Sequence, residues 1–141
     1  MDSSRKMSNN NEIIVVRRQC LMTKQKILVV DDQPGIRLLL TEVFAQNGYD
    51  VHTAETGTEA LELLKRLSID LAIIDYQLPD VDALSIVKKL KGKSCQVPLI
   101  LMSGLVEELM KEHIPYKNIV KIIGKPFDVE DLLTDVATIL A

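Results

Sequence analysis

The sequence lacks any long apolar run. Its longest uninterrupted apolar stretches are four residues, as at 13–16 and 27–30, whereas a helix needs about 20 to cross a bilayer. No apolar core near the N-terminus is long enough for a secretion signal. Cysteine is scarce as well. Cys20 and Cys95 stand far apart, without metal-ligand spacing, which fits a reduced, cytoplasmic setting and leaves Cys95 as a structural or surface thiol. Basic excess is also missing. The net charge is −3. The first 22 residues set Arg5, Lys6, Arg17 and Arg18 against Asp2 and Glu12, a local +2, so the remainder carries −5. That sign argues against nucleic-acid binding, which needs cations to neutralise phosphates. The surplus of carboxylates suits a cation site instead.

What is present is the balance of an ordinary globular domain, 47% apolar and 26% charged over 141 residues, enough for one domain with a buried core. Two regions differ in pattern. Residues 1–22 begin rich in Ser and Asn and show no strong periodicity. They are expected to form a flexible N-terminal extension, with a possible strand at 13–16 that has no hairpin partner nearby. Met22 stands just before the patterned region, which leaves open that translation begins there. Residues 23–141 form the domain.

From Lys26 onward short apolar strands alternate with amphipathic helices. The run at 27–30 suits a parallel strand buried on both faces. Pro34 opens a helix, where its missing N–H is harmless. Ile36, Leu39, Leu40, Val43 and Phe44 share one stripe at helical spacing, and Asn47-Gly48 ends it. Strands are expected at 49–54, 71–74, 98–102 and 120–123. Helices are expected after the Thr56 cap, from 82 to 90, from Leu105 to a limit at Pro115, and after Phe127-Asp128, which reads as a hydrophobic staple and N-cap. Five such units predict an α/β fold, a five-stranded parallel sheet with helices on both faces. Ligands of such sheets bind outside the carboxyl ends of the strands.

Those ends carry the polar residues. Strand one ends in Asp31-Asp32, strand three in Asp75, strand four in Ser103 and strand five in Gly124-Lys125-Pro126. Carboxylates gathered at one edge repel one another and resist desolvation. A hard divalent cation offsets that cost, and Mg²⁺ accepts one or two carboxylates plus waters and substrate oxygens. One carboxylate is then free to act as a nucleophile. The ammonium and hydroxyl are suitable donors to phosphoryl oxygens. Phosphoryl transfer to an Asp side chain is the reaction this equipment suits.

The residues at 27–32 (ILVVDD), 73–79 (IIDYQLP), 101–104 (LMSG) and 124–127 (GKPF) resemble the receiver domain of two-component response regulators, a flavodoxin-like (βα)5 fold. The resemblance covers about residues 25–141. The spacings of 43 from Asp32 to Asp75, 28 to Ser103 and 22 to Lys125 are those of the family. Residues 31–45 are similar to the single-domain sporulation phosphorelay regulators. The resemblance implies that Asp75 is the phosphoacceptor. It implies a Mg²⁺ site formed by Asp32, Asp75 and the backbone carbonyl of Gln77, with Asp31 acting directly or through water. Ser103 and Lys125 would contact the phosphoryl group, and the Lys125–Pro126 bond is usually cis. The donor would be a phosphohistidine on a sensor histidine kinase or a histidine phosphotransfer protein. Gln33, Pro34, Gly35, Ile36, Leu39, Pro126 and Phe127 would dock on it, and a downstream target protein would read the phosphorylated state.

Other residues take plainer readings. Asp70, Asp80 and Asp82 look like turn and cap residues. His52 and His113 lack catalytic partners, Tyr49 and Tyr116 read as packing residues, and Leu38 is left exposed beside the helical stripe. Several positions depart from the family pattern. Ile122 stands where the family usually has a switch aromatic. Ala83 replaces a common Gly, Gly104 a common Ala, and Gln77 and Leu105 occupy positions that tune dephosphorylation. A phosphorylation-independent interaction module on the same fold is the alternative function. A flavin site would want a Ser/Thr/Gly-rich loop where Asp31-Asp32-Gln33-Pro34 stands, and an Asp-nucleophile phosphohydrolase would want a second Asp at Gln77.

Overall fold

The computed structural model describes residues 24–105 and 116–141, apart from the side chains of Lys93 and Cys95. The N-terminal extension, Met22, Cys20, His113 and, beyond Leu105 itself, the helix expected from Leu105 to Pro115 lie outside them. The elements run β1 (Lys26–Val30), α1 (Pro34–Gln46), β2 (Asp50–Ala54), α2 (Gly57–Arg66), β3 (Leu71–Asp75), α3 (Ala83–Lys88), β4 (Leu99–Ser103), β5 (Ile119–Gly124) and α4 (Val129–Ile139), with a short 3₁₀ turn at Gly92–Gln96. The five strands pair in parallel in the order β2-β1-β3-β4-β5. The order reverses between β1 and β3, which places the switch point beside Asp31 and Asp75.

Side chains alternate across the sheet, as the strand period of two requires. Leu28, Val30, Ala72, Ile74, Leu99 and Leu101 face one apolar layer with Ala60 and Leu64 of α2 and Ala83, Ile86 and Val87 of α3. Ile27, Val29, Leu71, Ile73, Ile100 and Met102 face the other, with Leu40 and Phe44 of α1 and Leu132 and Val136 of α4. Helices therefore cover both faces, and the three inner strands read as apolar runs because neither face meets water. Full burial of Leu40 and Phe44 contributes about 2–3 kcal/mol each in hydrophobic transfer. Tyr49 packs edge-on against Phe44 at a centroid distance of 6.1 Å, and Tyr116 packs on the first layer.

The helix ends follow local chemistry. Pro34 opens α1, and Gly48 ends it with φ of 91°, a left-handed turn that glycine adopts without strain. Thr56 caps α2 by accepting from Glu59 N, Asp82 caps α3 by accepting from Ser85 N, and Asp128 caps α4 by accepting from Asp131 N. Leu39 departs from the expected core stripe. It is 41% exposed, because α1 seats on the sheet through Leu40 and Phe44, one turn apart, which turns Leu39 outward beside Leu38. No helix among the described residues is long and apolar enough to cross a membrane.

Candidate functional site

The carboxyl edge of the sheet brings the expected polar residues together. Asp31 is fully buried at the end of β1, Asp75 is 8% exposed at the end of β3, and Ser103 is 5% exposed at the end of β4. Asp32 is exposed. Carboxylate oxygens of Asp31, Asp32 and Asp75 lie within 4.8 Å of one another. β5 delivers Lys125 beside them through a cis Lys125–Pro126 bond, with Lys125 N donating to Ser103 O at 3.0 Å.

Lys125 Nζ stands 2.8 Å from Asp75 Oδ2 and 2.9 Å from Asp31 Oδ2. The contact with Asp75 is an aligned hydrogen bond. The contact with Asp31 is a charge contact without alignment, and Asp31 Oδ2 is buried with no aligned donor among the described residues. Burial alone would lower the Lys125 pKa. The close contacts with the negatively charged Asp75 and Asp31 carboxylates outweigh it and raise the ammonium pKa above its ordinary value.

The backbone fixes the carboxylates. Gln33 N donates to Asp31 Oδ1 at 2.9 Å, and Gln77 N donates to Asp75 Oδ1 at 3.2 Å. Gln77 bridges to Asp82 in a tight hairpin, closed by Ala83 N donating to Tyr76 O at 2.9 Å. Leu105 N donates to Ser103 Oγ at 2.9 Å, which orients that oxygen and leaves its hydroxyl proton to donate elsewhere. The donor set fits a hard divalent cation. Three carboxylates converge, and one buried oxygen has no aligned donor among the described residues.

The expected docking residues cluster around the same site. Gln33, Pro34, Gly35 and Pro126 are exposed, and Ile36 and Phe127 are half-buried. Gln33 Oε1 lies 3.5 Å from Lys125 Nζ, so the start of α1 and the loop after β5 meet there. Ile122 is half-buried and packs on the layer of α2 and α3. His52 Nε2 lies 3.3 Å from Asp50 Oδ2, away from the site.

Two contacts near the site carried no chemical signal in the sequence. Arg37 Nη1 donates to the Asp31 carbonyl at 2.6 Å. Asp80, read as a turn and cap residue, lies in a bend and caps not its own helix but the start of α2, accepting from Gly57 N at 2.9 Å, Thr58 N at 3.1 Å and Thr58 Oγ1 at 2.9 Å. A sequence scan for caps looks three or four residues ahead, and these partners lie more than 20 residues behind.

Comparison with known proteins agrees with this geometry. The model of the response regulator receiver domain matches residues 27–137. Sporulation initiation phosphotransferase F of Bacillus subtilis is 34% identical over 111 residues, which span 79% of this chain and 90% of that protein. The alkaline phosphatase synthesis transcriptional regulatory protein PhoP of the same bacterium is 37% identical over 87 residues, which span 62% of this chain but 36% of PhoP. The crystal structure of response regulator TrrA from Thermotoga maritima, in complex with Mg(2+)-BeF, superposes with a TM-score of 0.72 at 30% identity over 82% of this chain and 99% of TrrA. This chain belongs to the response regulator receiver domain family.

Proposed function

We propose that the chain is a phosphorelay response regulator in which Asp75 accepts a phosphoryl group from a phosphohistidine. The observation that carries this reading is the Lys125 ammonium seated 2.8 Å from Asp75 and 2.9 Å from Asp31, inside a cluster of three carboxylates. A carboxylate oxygen of Asp75 attacks phosphorus. The new O–P bond forms as the N–P bond of the donor breaks, and the freed imidazole nitrogen keeps the electron pair. Lys125 moves its hydrogen bond from the Asp75 carboxylate to a phosphoryl oxygen, and the Ser103 hydroxyl donates to another. Asp31, Asp32, Asp75 and the Gln77 carbonyl would hold Mg²⁺, which supplies charge neutralisation at the transferring group. The domain promotes its own phosphorylation and dephosphorylation and turns over no other substrate.

The partners are a sensor histidine kinase or histidine phosphotransfer protein and a downstream target protein, in the cytoplasm, with no role for nucleic acid or membrane insertion. Gln33, Pro34, Gly35, Ile36, Leu39, Pro126 and Phe127 form the docking surface around the phosphorylation site. Incubation with acetyl phosphate and Mg²⁺, followed by intact mass spectrometry, should give one phosphoryl adduct that is absent in Asp75→Asn. No adduct on the native chain would favour a phosphorylation-independent interaction module. Ile36→Glu should slow transfer from the protein donor while leaving acetyl phosphate labelling unchanged; equal loss with both donors would sink the docking surface.

A further inference from the structure

The start of α2 is held from two sides. On one side Asp80, at the tip of the Gln77 hairpin, accepts from Gly57 N, Thr58 N and Thr58 Oγ1 at 2.9, 3.1 and 2.9 Å. The approach is tight, since a Cβ on Gly57 would collide with the Val81 side chain. On the other side Arg37 spans from the Asp31 carbonyl, 2.6 Å from Nη1, to Glu55 Oε2, 3.4 Å from Nη2. Glu55 N donates to Glu59 Oε1 at 2.7 Å, and Glu59 N donates to Thr56 Oγ1 at 3.2 Å. The contacts make an unbroken path from the Asp31 turn to the Gln77 hairpin through residues 55–59, none of which belongs to the site.

We propose that Arg37 and Asp80 are positioning residues which, through the start of α2, set the separation between the Asp31-Asp32 turn and the Gln77 hairpin and thereby the affinity for Mg²⁺. This inference rests on the metal site proposed above. Its physical basis is the mismatch between what the cation needs and what the loops prefer. Mg²⁺ demands near-ideal octahedral geometry, while the gathered carboxylates repel and push their loops apart. Within the hairpin Leu78 N donates to Val81 O at 3.2 Å and Ala83 N to Tyr76 O at 2.9 Å, bonds that close its base but do not tie its tip to the rest of the fold. Asp80 fixes its tip to a helix, and Arg37 fixes the opposite ligand turn to the strand-to-helix loop that precedes the same helix.

The test is calorimetric titration of Mg²⁺ into the full chain without phosphodonor. Asp80→Ala should raise the Mg²⁺ Kd about three- to tenfold, below the loss seen for partners that touch a ligand directly. Asp80→Asn keeps one acceptor oxygen and should recover part of the affinity. Arg37→Ala should also weaken binding, and the double variant should lose less than the product of the single losses, because both act along one path. Asp70→Ala removes a comparable bond, Lys26 N to Asp70 Oδ2 at 2.7 Å, at the far edge of the sheet and should leave the Kd unchanged. If Asp80→Ala fails to fold, Thr58→Val, which removes one of the three bonds, should still raise the Kd about twofold. An unchanged Kd in the folded Asp80 or Thr58 variants, strict multiplicativity in the double variant, or an equal rise in Asp70→Ala would overturn the inference while leaving the metal site intact. Failure of the native chain to bind Mg²⁺ would overturn the function reading, and this inference with it.

Discussion

The two edges of the sheet treat the same residue type in opposite ways. At the amino edge Asp50 meets Lys26 Nζ at 3.0 Å and His52 Nε2 at 3.3 Å, with its side chain 40% exposed. Asp70 accepts from Lys26 N at 2.7 Å. Each carboxylate there has a donor and access to water. At the carboxyl edge Asp31 and Asp75 are buried and share the Lys125 ammonium, and Asp31 Oδ2 has no aligned donor among the described residues. Burying two carboxylates against one ammonium leaves negative charge uncompensated. A fold selected for stability alone would finish both edges as it finished the amino one. The unfinished edge fits the cation and phosphoryl group proposed for it, and strain of this kind concentrates at functional sites.

The sharpest way to break the comparison is to remove the shared cation. Lys125→Met leaves two buried carboxylates facing each other and should cost about 3 kcal/mol in metal-free buffer, as for one partner removed from a buried pair. Urea unfolding measures it, and a loss no larger than that of a surface pair would erase the contrast between the edges. The pH dependence has a definite sign. Because the pKa of Lys125 is raised on folding, its contribution is fully present below the unfolded value near 10.5 and is lost as pH rises through the higher folded value.

A smaller effect is expected at the rim of the same edge. Asp80 is held to a pKa of about 2 by the Gly57 backbone N–H first, and then by the Thr58 hydroxyl and backbone N–H, against the opposing effect of desolvation. Its folded pKa is depressed, so the stabilisation is present above the unfolded value of 3.8 and disappears as pH falls towards 2. Thermal denaturation from pH 5 to pH 2 should therefore show a shallower loss of stability in Asp80→Asn than in the native chain. Parallel curves would show that the capping bonds do not favour the charged form.

Much of this edge was legible in the sequence. Asp31, Asp32, Asp75 and Ser103 could be placed because the strands before them are buried and read as short apolar runs, so the first polar residue marks the strand end, whereas Lys125 follows a partly exposed strand interrupted by Lys121 and was marked by the Gly124-Lys125-Pro126 run instead. Thr56, Asp82 and Asp128 could be placed because each caps a helix three residues ahead. Leu39 was misassigned to the core stripe because helical spacing defines a face but not which part of it the sheet meets. Arg37 and Asp80 were illegible as site residues for a different reason. Arg37 reaches back six residues, but to a backbone carbonyl that no side-chain pattern marks, whereas the partners of Asp80 stand 23 and 22 residues before it and are brought near by the fold.

The smallest effect belongs to the finished edge. Asp50 has its pKa lowered chiefly by the hydrogen bond from Lys26, against the opposing effect of desolvation, with His52 adding to the lowering. It is also open to water, and the pair with Lys26 is half-exposed, so solvent screens most of the attraction. Asp50→Asn should therefore cost about 0.5 kcal/mol or less in low salt, should converge on the native value as salt is raised, and should leave Mg²⁺ binding untouched. Urea unfolding at two ionic strengths measures the first two, and the calorimetric titration the third. A cost that persists in high salt would mean that Asp50 acts through packing rather than charge. A change in Mg²⁺ affinity would mean that the two edges are coupled through β1, whose first residue pairs with Asp50 and whose end leads directly into Asp31. The contrast drawn between them would then have to be given up, because a change at the compensated edge would be felt at the uncompensated one.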